Sequence, residues 1–197
     1  PLWGWRDDSL KIMEKQIDLA SANGLDFFSF CWYWSDDQKG INESEIINNP
    51  LNTSVRLFMH AKNKSKMKFC LMIANHYGSR INGIQNWKDA ITFMCKTYFK
   101  NSRYLLFENK PVIVVFEPRA LEQDTNTIGE INQTAKKYGF SGIYLISCGY
   151  NLSGYDALTW YNVYPTFLST SLTTPYKDLV DYTIKKWNSQ SKDENVI

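Results

Sequence analysis

The sequence predicts an α/β fold of the (β/α)8 TIM-barrel type, present as an incomplete barrel with its first and last strands missing. Three observations predict it. Short apolar runs alternate with amphipathic helical stretches along the chain. The runs are nearly continuous in apolar residues, as parallel strands covered on both faces are. None of them leads into a glycine-rich phosphate loop, which a doubly wound nucleotide-binding sheet needs after its first strand. A complete barrel takes roughly 250 residues; this chain has 197, enough for five strands and, at Asn195-Val196-Ile197, the opening of another.

Each element has its own signal. From about Ser9 to Asn23, Leu10, Met13, Ile17 and Ala20 share one helical face, and Asn23-Gly24 is a helix C-terminal signal. The first strand runs from Leu25 to Trp32. Pro50 opens a second helix with Asn49 as its cap and Leu51, Val55 and Phe58 inward, followed by a strand from Met67 to Ala74. In the third helix Trp87, Ala90, Ile91, Met94, Cys95, Tyr98 and Phe99 keep the spacing of a single buried stripe. Pro111 to Phe116 is a β-branched strand whose proline stands first, where a missing donor is tolerated. Ile128, Ile131, Ala135 and Tyr138 form a helix closed by Gly139, and Gly142 to Cys148 is the fourth strand. A fifth lies at about Ala157 to Tyr161, and Thr174-Pro175 starts a last helix with Tyr176, Leu179, Val180 and Trp187 inward. The expected organisation is one partial barrel domain over residues 1–197, its five strands parallel neighbours in chain order.

Composition narrows the partners. Hydrophobic residues make up 44% and charged ones 21% of the chain, values of an ordinary globular domain. The formal charge of +2 is spread rather than clustered, so nothing favours nucleic acid. No apolar run approaches the roughly 20 residues of a membrane helix, and Pro1 to Arg6 lack the pattern of a signal peptide. Cys31, Cys70, Cys95 and Cys148 are far apart and lack zinc spacing, so they read as small buried thiols; no metal and no cofactor is expected. The 15% aromatic content is high, but aromatics fill cores as well as sugar sites, and only position separates the two uses.

In a barrel, chemistry sits at the C-terminal ends of the strands. Those ends read Trp32-Tyr33-Trp34, Asn75-His76-Tyr77, Glu117-Pro118-Arg119, Gly149-Tyr150-Asn151 and Trp160-Tyr161-Asn162. Stacking surfaces beside amide, imidazole and carboxylate groups suit a polyhydroxylated ligand, whose faces are apolar and whose edges carry hydroxyls. Trp32, Trp34, Asn75, Tyr150 and Asn162 are therefore the expected sugar-binding residues, and Glu117 and His76 the expected catalytic ones. Trp32 and Trp34 share a parity that could aim both at the mouth, while the helix-facing core could take one of them. Glu117 reads either as an acid, base or nucleophile or as the ion partner of Arg119, and His76 either as a site residue or as a structural one.

The opening Pro1 to Asp7, the stretch from Gln16 through Gly24 to Trp34, Met67 to His76, Tyr104 to Pro118 and Gly154 to Ala157 resemble the glycoside hydrolase family 99-like group, which includes WbsX-type polysaccharide-biosynthesis proteins and is related to family 71. The resemblance implies a TIM-barrel enzyme acting on α-linked glycans, with endo-α-mannosidase the best characterised activity and oligosaccharide or polysaccharide as the partner. It favours a secreted, periplasmic or cell-surface setting. The family's working carboxylates belong to a motif of the type E-W-x-E-G, absent from this sequence. The expectation is thus that the main catalytic pair lies beyond Ile197 and that these 197 residues alone are inactive. At Asn75-His76 the WbsX-type pattern has Asn-Glu. The alternative is a non-catalytic carbohydrate-binding or polysaccharide-biosynthesis protein on the same barrel.

Overall fold

The computed structural model describes residues 8–34, 40–122, 125–161 and 175–190. In chain order the elements are α1 (Leu10–Ala22), β1 (Phe27–Trp32), α2 (Glu43–Asn48), α3 (Thr53–His60), β2 (Lys68–Ile73), α4 (Ile84–Met94), β3 (Leu106–Phe107), β4 (Lys110–Val115), α5 (Arg119–Glu122), α6 (Thr125–Lys137), β5 (Tyr144–Cys148), β6 (Ala157–Thr159) and α7 (Tyr176–Gln190). Strands β1, β2, β4, β5 and β6 are parallel neighbours in that order. The order never reverses, so every crossover advances the sheet in one direction, as in a barrel and unlike a doubly wound sheet. This is the expected α/β architecture, a parallel sheet compatible with an incomplete barrel.

Local chemistry explains the boundaries. The Ser9 hydroxyl accepts the Ile12 N–H at 3.3 Å to cap α1. At its other end the Leu25 N–H reaches the Ala20 carbonyl at 3.1 Å around Gly24, whose φ of +79° is glycine's own territory. The long stripe from Trp87 to Phe99 is buried as expected, but after Met94 its helix widens into a π-turn over Cys95–Phe99. Three elements lacked a sequence signal. Two are the short helices α2 and α5; the third is the hairpin of β3 on β4, whose turn residues Glu108 and Asn109 both take positive φ, at +48° and +62°. Leu51, expected inward, is exposed because Pro50–Asn52 forms a separate 3₁₀ turn and α3 begins only at Thr53. Tyr176 and Trp187, also expected inward, are exposed on α7.

The strands sort their side chains by parity. Phe30 and Phe69 meet Phe58 of α3, and Trp32 meets Phe93 of α4, so this face looks to the helices. The alternate residues Phe27, Cys31, Met72, Val114 and Ile146 line a cavity of about 500 Å³ on the other face, where a closed barrel keeps its interior side chains. Burial raises the Cys70 thiol to about 11 and the Cys95 thiol to about 12, which leaves both protonated at neutral pH. No helix among the described residues is long and apolar enough to cross a membrane.

One buried phenol stitches the sheet. The segment before β3 pairs with the start of β2, through Phe69 N–H to Arg103 O at 2.9 Å and Leu105 N–H to Phe69 O at 2.7 Å. It thereby wedges Tyr104 between β2 and β4. The Tyr104 hydroxyl accepts from Leu71 N–H at 3.3 Å and donates to the Val112 carbonyl at 2.8 Å. Replacing Tyr104 by Phe removes both bonds and leaves two buried backbone groups unpaired. The expected loss is roughly 1–3 kcal/mol in urea unfolding, with little change in the fold; a loss below a few tenths would mean that water takes over the bridge.

Candidate functional site

The ends of the strands bring an aromatic pocket together. Tyr33 follows β1 with the parity of Cys31, Ala74 follows β2 with that of Met72, Phe116 follows β4 with that of Val114, and His76 stands beside them after the left-handed turn at Asn75. With Tyr161 beyond β6, they line a pocket of about 170 Å³. The rings meet edge to face: Tyr33 on His76 at 6.3 Å and 75°, His76 on Phe116 at 6.1 Å and 84°, and Phe116 on Tyr161 at 5.1 Å and 79°. Edge-to-face contacts place the positive ring edge on a negative face and fix the rings' mutual orientation. Burial, then the nearby Cys31 and Tyr161, push the Tyr33 phenol above its ordinary range, so it keeps its proton at neutral pH and can donate a hydrogen bond.

Tyr33 is held from behind by the buried Asn52. The Asn52 Oδ1 accepts the Tyr33 N–H at 2.8 Å, while its Nδ2 donates to the carbonyls of Tyr33 and Ile46, both at 3.1 Å. An amide with an acceptor at one end and two hydrogens at the other matches a backbone N–H and two carbonyls.

Charge follows directly after Phe116 in the chain. Both carboxylate oxygens of Glu117 receive the Arg119 guanidinium, from Nε and Nη2, each at 2.8 Å. The guanidinium also lies over the Tyr150 ring, 4.4 Å from its centre. These bonds from Arg119, more than the opposing burial, hold the Glu117 carboxyl below its usual range. The ion pair is complete above the ordinary carboxylate range and is lost as pH falls through the lowered value. Glu117 is therefore an anion at any neutral or mildly acidic pH, able to accept a proton or a hydroxyl's hydrogen bond and unsuited to giving a proton away.

The family model described as Glycosyltransferase WbsX matches residues 6–195. The chain belongs to this WbsX family. Among curated proteins it is 23% identical over 146 residues to the uncharacterized protein WxcX of Xanthomonas campestris pv. campestris, in strains B100 and ATCC 33913, a match covering 68% of this chain and 19% of WxcX. Among solved structures, the GH99 endo-α-mannosidase of Bacteroides thetaiotaomicron superposes with a TM-score of 0.60 at 19% identity, over 98% of this chain and 53% of that one, and over 56% in its complex with bis-tris-propane. A glycoside hydrolase-like protein follows at a TM-score of 0.58 and 12% identity, over 96% of this chain and 62% of that one. At such identities the likeness is one of fold. This chain spans less than two thirds of each of these proteins.

In this WbsX chain the residues expected at the mouth divide. His76 lines the pocket; Glu117 and Tyr150 are joined to each other through Arg119 and are not among the residues that line it. The ion pair of Glu117 with Arg119, one of its two possible readings, is formed. Trp32 and Trp34 are corrected: they are buried, 0% and 2% exposed, and their rings lie tilted against each other with centres 6.2 Å apart, Trp32 also meeting Phe93 of α4. Asn75 is corrected too, since both ends of its buried amide are taken up by the Glu117 carbonyl and the Ile81 N–H. Asn162 lies outside the described residues. Tyr33, Phe116 and Tyr161, not expected there, make the pocket wall, and parity from the strand core is the signal that finds them. Asn52 had no signal beyond its place after Asn49-Pro50.

Replacing Asn52 by Ala should cost roughly 1–3 kcal/mol in denaturant unfolding, because three backbone groups lose their partner. Restoring only the acceptor, in Asn52→Asp, should recover less than half of that loss. Full recovery would show that the two donated bonds contribute nothing.

Proposed function

We propose that the protein in its full-length form is a glycosidase-type enzyme acting on α-linked glycans, with the mouth formed by Tyr33, His76, Phe116 and Tyr161 as a sugar-binding subsite. The observation that carries this reading is the aromatic pocket at the C-terminal ends of a parallel sheet, which is where barrel enzymes bind substrate. Ring walls suit the apolar faces of a sugar, while the Tyr33 hydroxyl and the His76 imidazole suit its hydroxyl edge. The shared fold with endo-α-mannosidases supports α-linked glycans as the substrate class.

The chemistry divides as the geometry suggests. Glycosidic cleavage ordinarily takes two carboxyl groups, one protonated and one ionised. Glu117 fits only the ionised role, as acceptor for an attacking or orienting hydroxyl. Among the described residues no carboxylate lines the pocket itself. The proton donor is thus assigned to another group of the full-length enzyme. The family's description as a glycosyltransferase supports a second reading, a polysaccharide-biosynthesis or glycan-binding role on the same barrel.

Incubating the full-length protein with α-linked manno-oligosaccharides separates the two. Release of new reducing ends supports the first reading; tight binding with no cleavage supports the second. In an active enzyme, Glu117→Gln nearly preserves shape while removing the charge, so turnover should fall by roughly 100-fold with a much smaller change in unfolding midpoint. Normal turnover in that variant would make the Glu117–Arg119 pair purely structural.

A further inference from the structure

The loop that presents His76 is organised by one buried amide. Asn75 is 1% exposed and holds a φ of +49°, a left-handed conformation that asparagine tolerates better than most side chains. Its Nδ2 donates to the backbone carbonyl of Glu117 at 2.9 Å, tying the end of β2 to the end of β4. Its Oδ1 accepts the Ile81 N–H at 3.1 Å and closes the loop on itself, and the Ser79 N–H adds a turn by donating to the His76 carbonyl at 2.9 Å.

On this support the two nitrogens of His76 become inequivalent. Nδ1 lies 2.7 Å from the backbone carbonyl oxygen of Tyr77. A carbonyl oxygen only accepts, so Nδ1 carries a hydrogen, and in the neutral ring Nε2 is left with its lone pair free. The ring cannot swing away easily, since Tyr33 and Phe116 clasp it edge to face. It lines the pocket, and with Nδ1 occupied by the backbone, Nε2 is the nitrogen left for a ligand.

We infer that Nε2 of His76 is a fixed hydrogen-bond acceptor for a hydroxyl of an uncharged sugar, and that Asn75 is the positioning residue that holds it so. The ligand class rests on the glycan reading above; the tautomer and the role of Asn75 rest on geometry alone. An acceptor selects against acceptors. A carboxylate or a fully ionised phosphate has no proton to give to the Nε2 of a neutral imidazole, whereas every free sugar hydroxyl has one, and the Tyr33 phenol beside it supplies the complementary donor.

The test uses the full-length protein with ¹⁵N-labelled histidine, the His76 signals being assigned by their loss in His76→Gln. At a pH where the ring is neutral, the spectrum should show the Nδ1–H tautomer. In Asn75→Gly, which keeps the positive φ but removes both amide bonds, the two tautomers should mix. Methyl α-D-mannopyranoside should move the Nε2 resonance and leave Nδ1 nearly still. Gln places its amide near the position of Nε2 and Asn near that of Nδ1. His76→Gln should therefore keep affinity for this probe within about threefold, while His76→Asn loses roughly tenfold. An Nε2–H tautomer in the wild type, unchanged tautomers in Asn75→Gly, or an Asn variant that binds as well as the Gln variant would each overturn the inference. If the tautomer is as stated but the wild type binds neither the mannoside nor longer α-linked oligosaccharides, the sugar ligand and the glycan reading fall together, and the ring assignment stands.

Discussion

The strands turn one face to the helices and the other to the interior cavity, so the alternation of their side chains sends every second residue to the helices and the ones between to the interior, and this assignment continues past the last ladder bond for as long as the backbone stays extended. The ladder itself extends that far: the Ala74 N–H reaches the Trp32 carbonyl at 3.0 Å and the Phe116 N–H reaches the Ile73 carbonyl at 2.9 Å. Whatever stands at a strand end thus inherits its direction from residues deep in the core. Phe30 against Phe58 fixes Trp32 toward the helices. Tyr33 is then turned to the pocket by the same fact, as are Ala74 from Met72 and Phe116 from Val114, while His76 is brought there by the left-handed turn at Asn75.

Parity sets direction, but a side chain at a mouth also needs a rigid backbone, and here buried polar side chains provide it. Asn52 holds Tyr33, Asn75 holds the loop of His76 against β4, and Tyr104 joins β2 to β4 lower in the sheet. Each sits where a strand has ended or strands have parted, leaving backbone groups that the ladder cannot satisfy. A buried group left unpaired costs about 1–3 kcal/mol, a sizeable share of the 5–15 kcal/mol that separates a typical domain from its unfolded chain. The same bonds that stabilise the sheet therefore set the positions of the pocket's rings. Stability and site geometry are coupled at these residues.

This coupling explains what was legible in the sequence. Parallel strands and their order follow from hydrophobic runs and helix stripes, because burial on both faces leaves a compositional trace; the Trp87 to Phe99 stripe and Pro111 to Phe116 were readable for that reason. Trp32 and Trp34 share a parity, which the sequence shows, but which face that parity points to depends on Phe58 and Phe93, residues on helices far along the chain. Large size drew attention to the tryptophans, yet large rings are also what fills the space between a strand and two helices. Asn52 and Asn75 carry no periodic signal, because their partners are backbone groups, and backbone is the same everywhere in a sequence.

The proposed site separates its polar functions over three strand ends. Tyr33, after β1, keeps its proton because burial and its neighbours disfavour the phenolate, so it is a donor of hydrogen bonds and a poor source of protons. His76, after β2, has one nitrogen fixed by a carbonyl and offers the other as acceptor. Glu117, after β4, is kept ionised by Arg119. Hydrolysis and glycosyl transfer differ in the acceptor, water or a sugar hydroxyl, and an ionised carboxylate can take a proton from either. They share the need to protonate the leaving oxygen, or else to use a leaving group that needs no proton. Neither Tyr33 nor Glu117 meets that need as it is held here. The distinction between a hydrolase and a transferase on this barrel therefore turns on the group that faces the leaving oxygen, while Tyr33, His76 and Glu117 would serve the sugar in the same way in both.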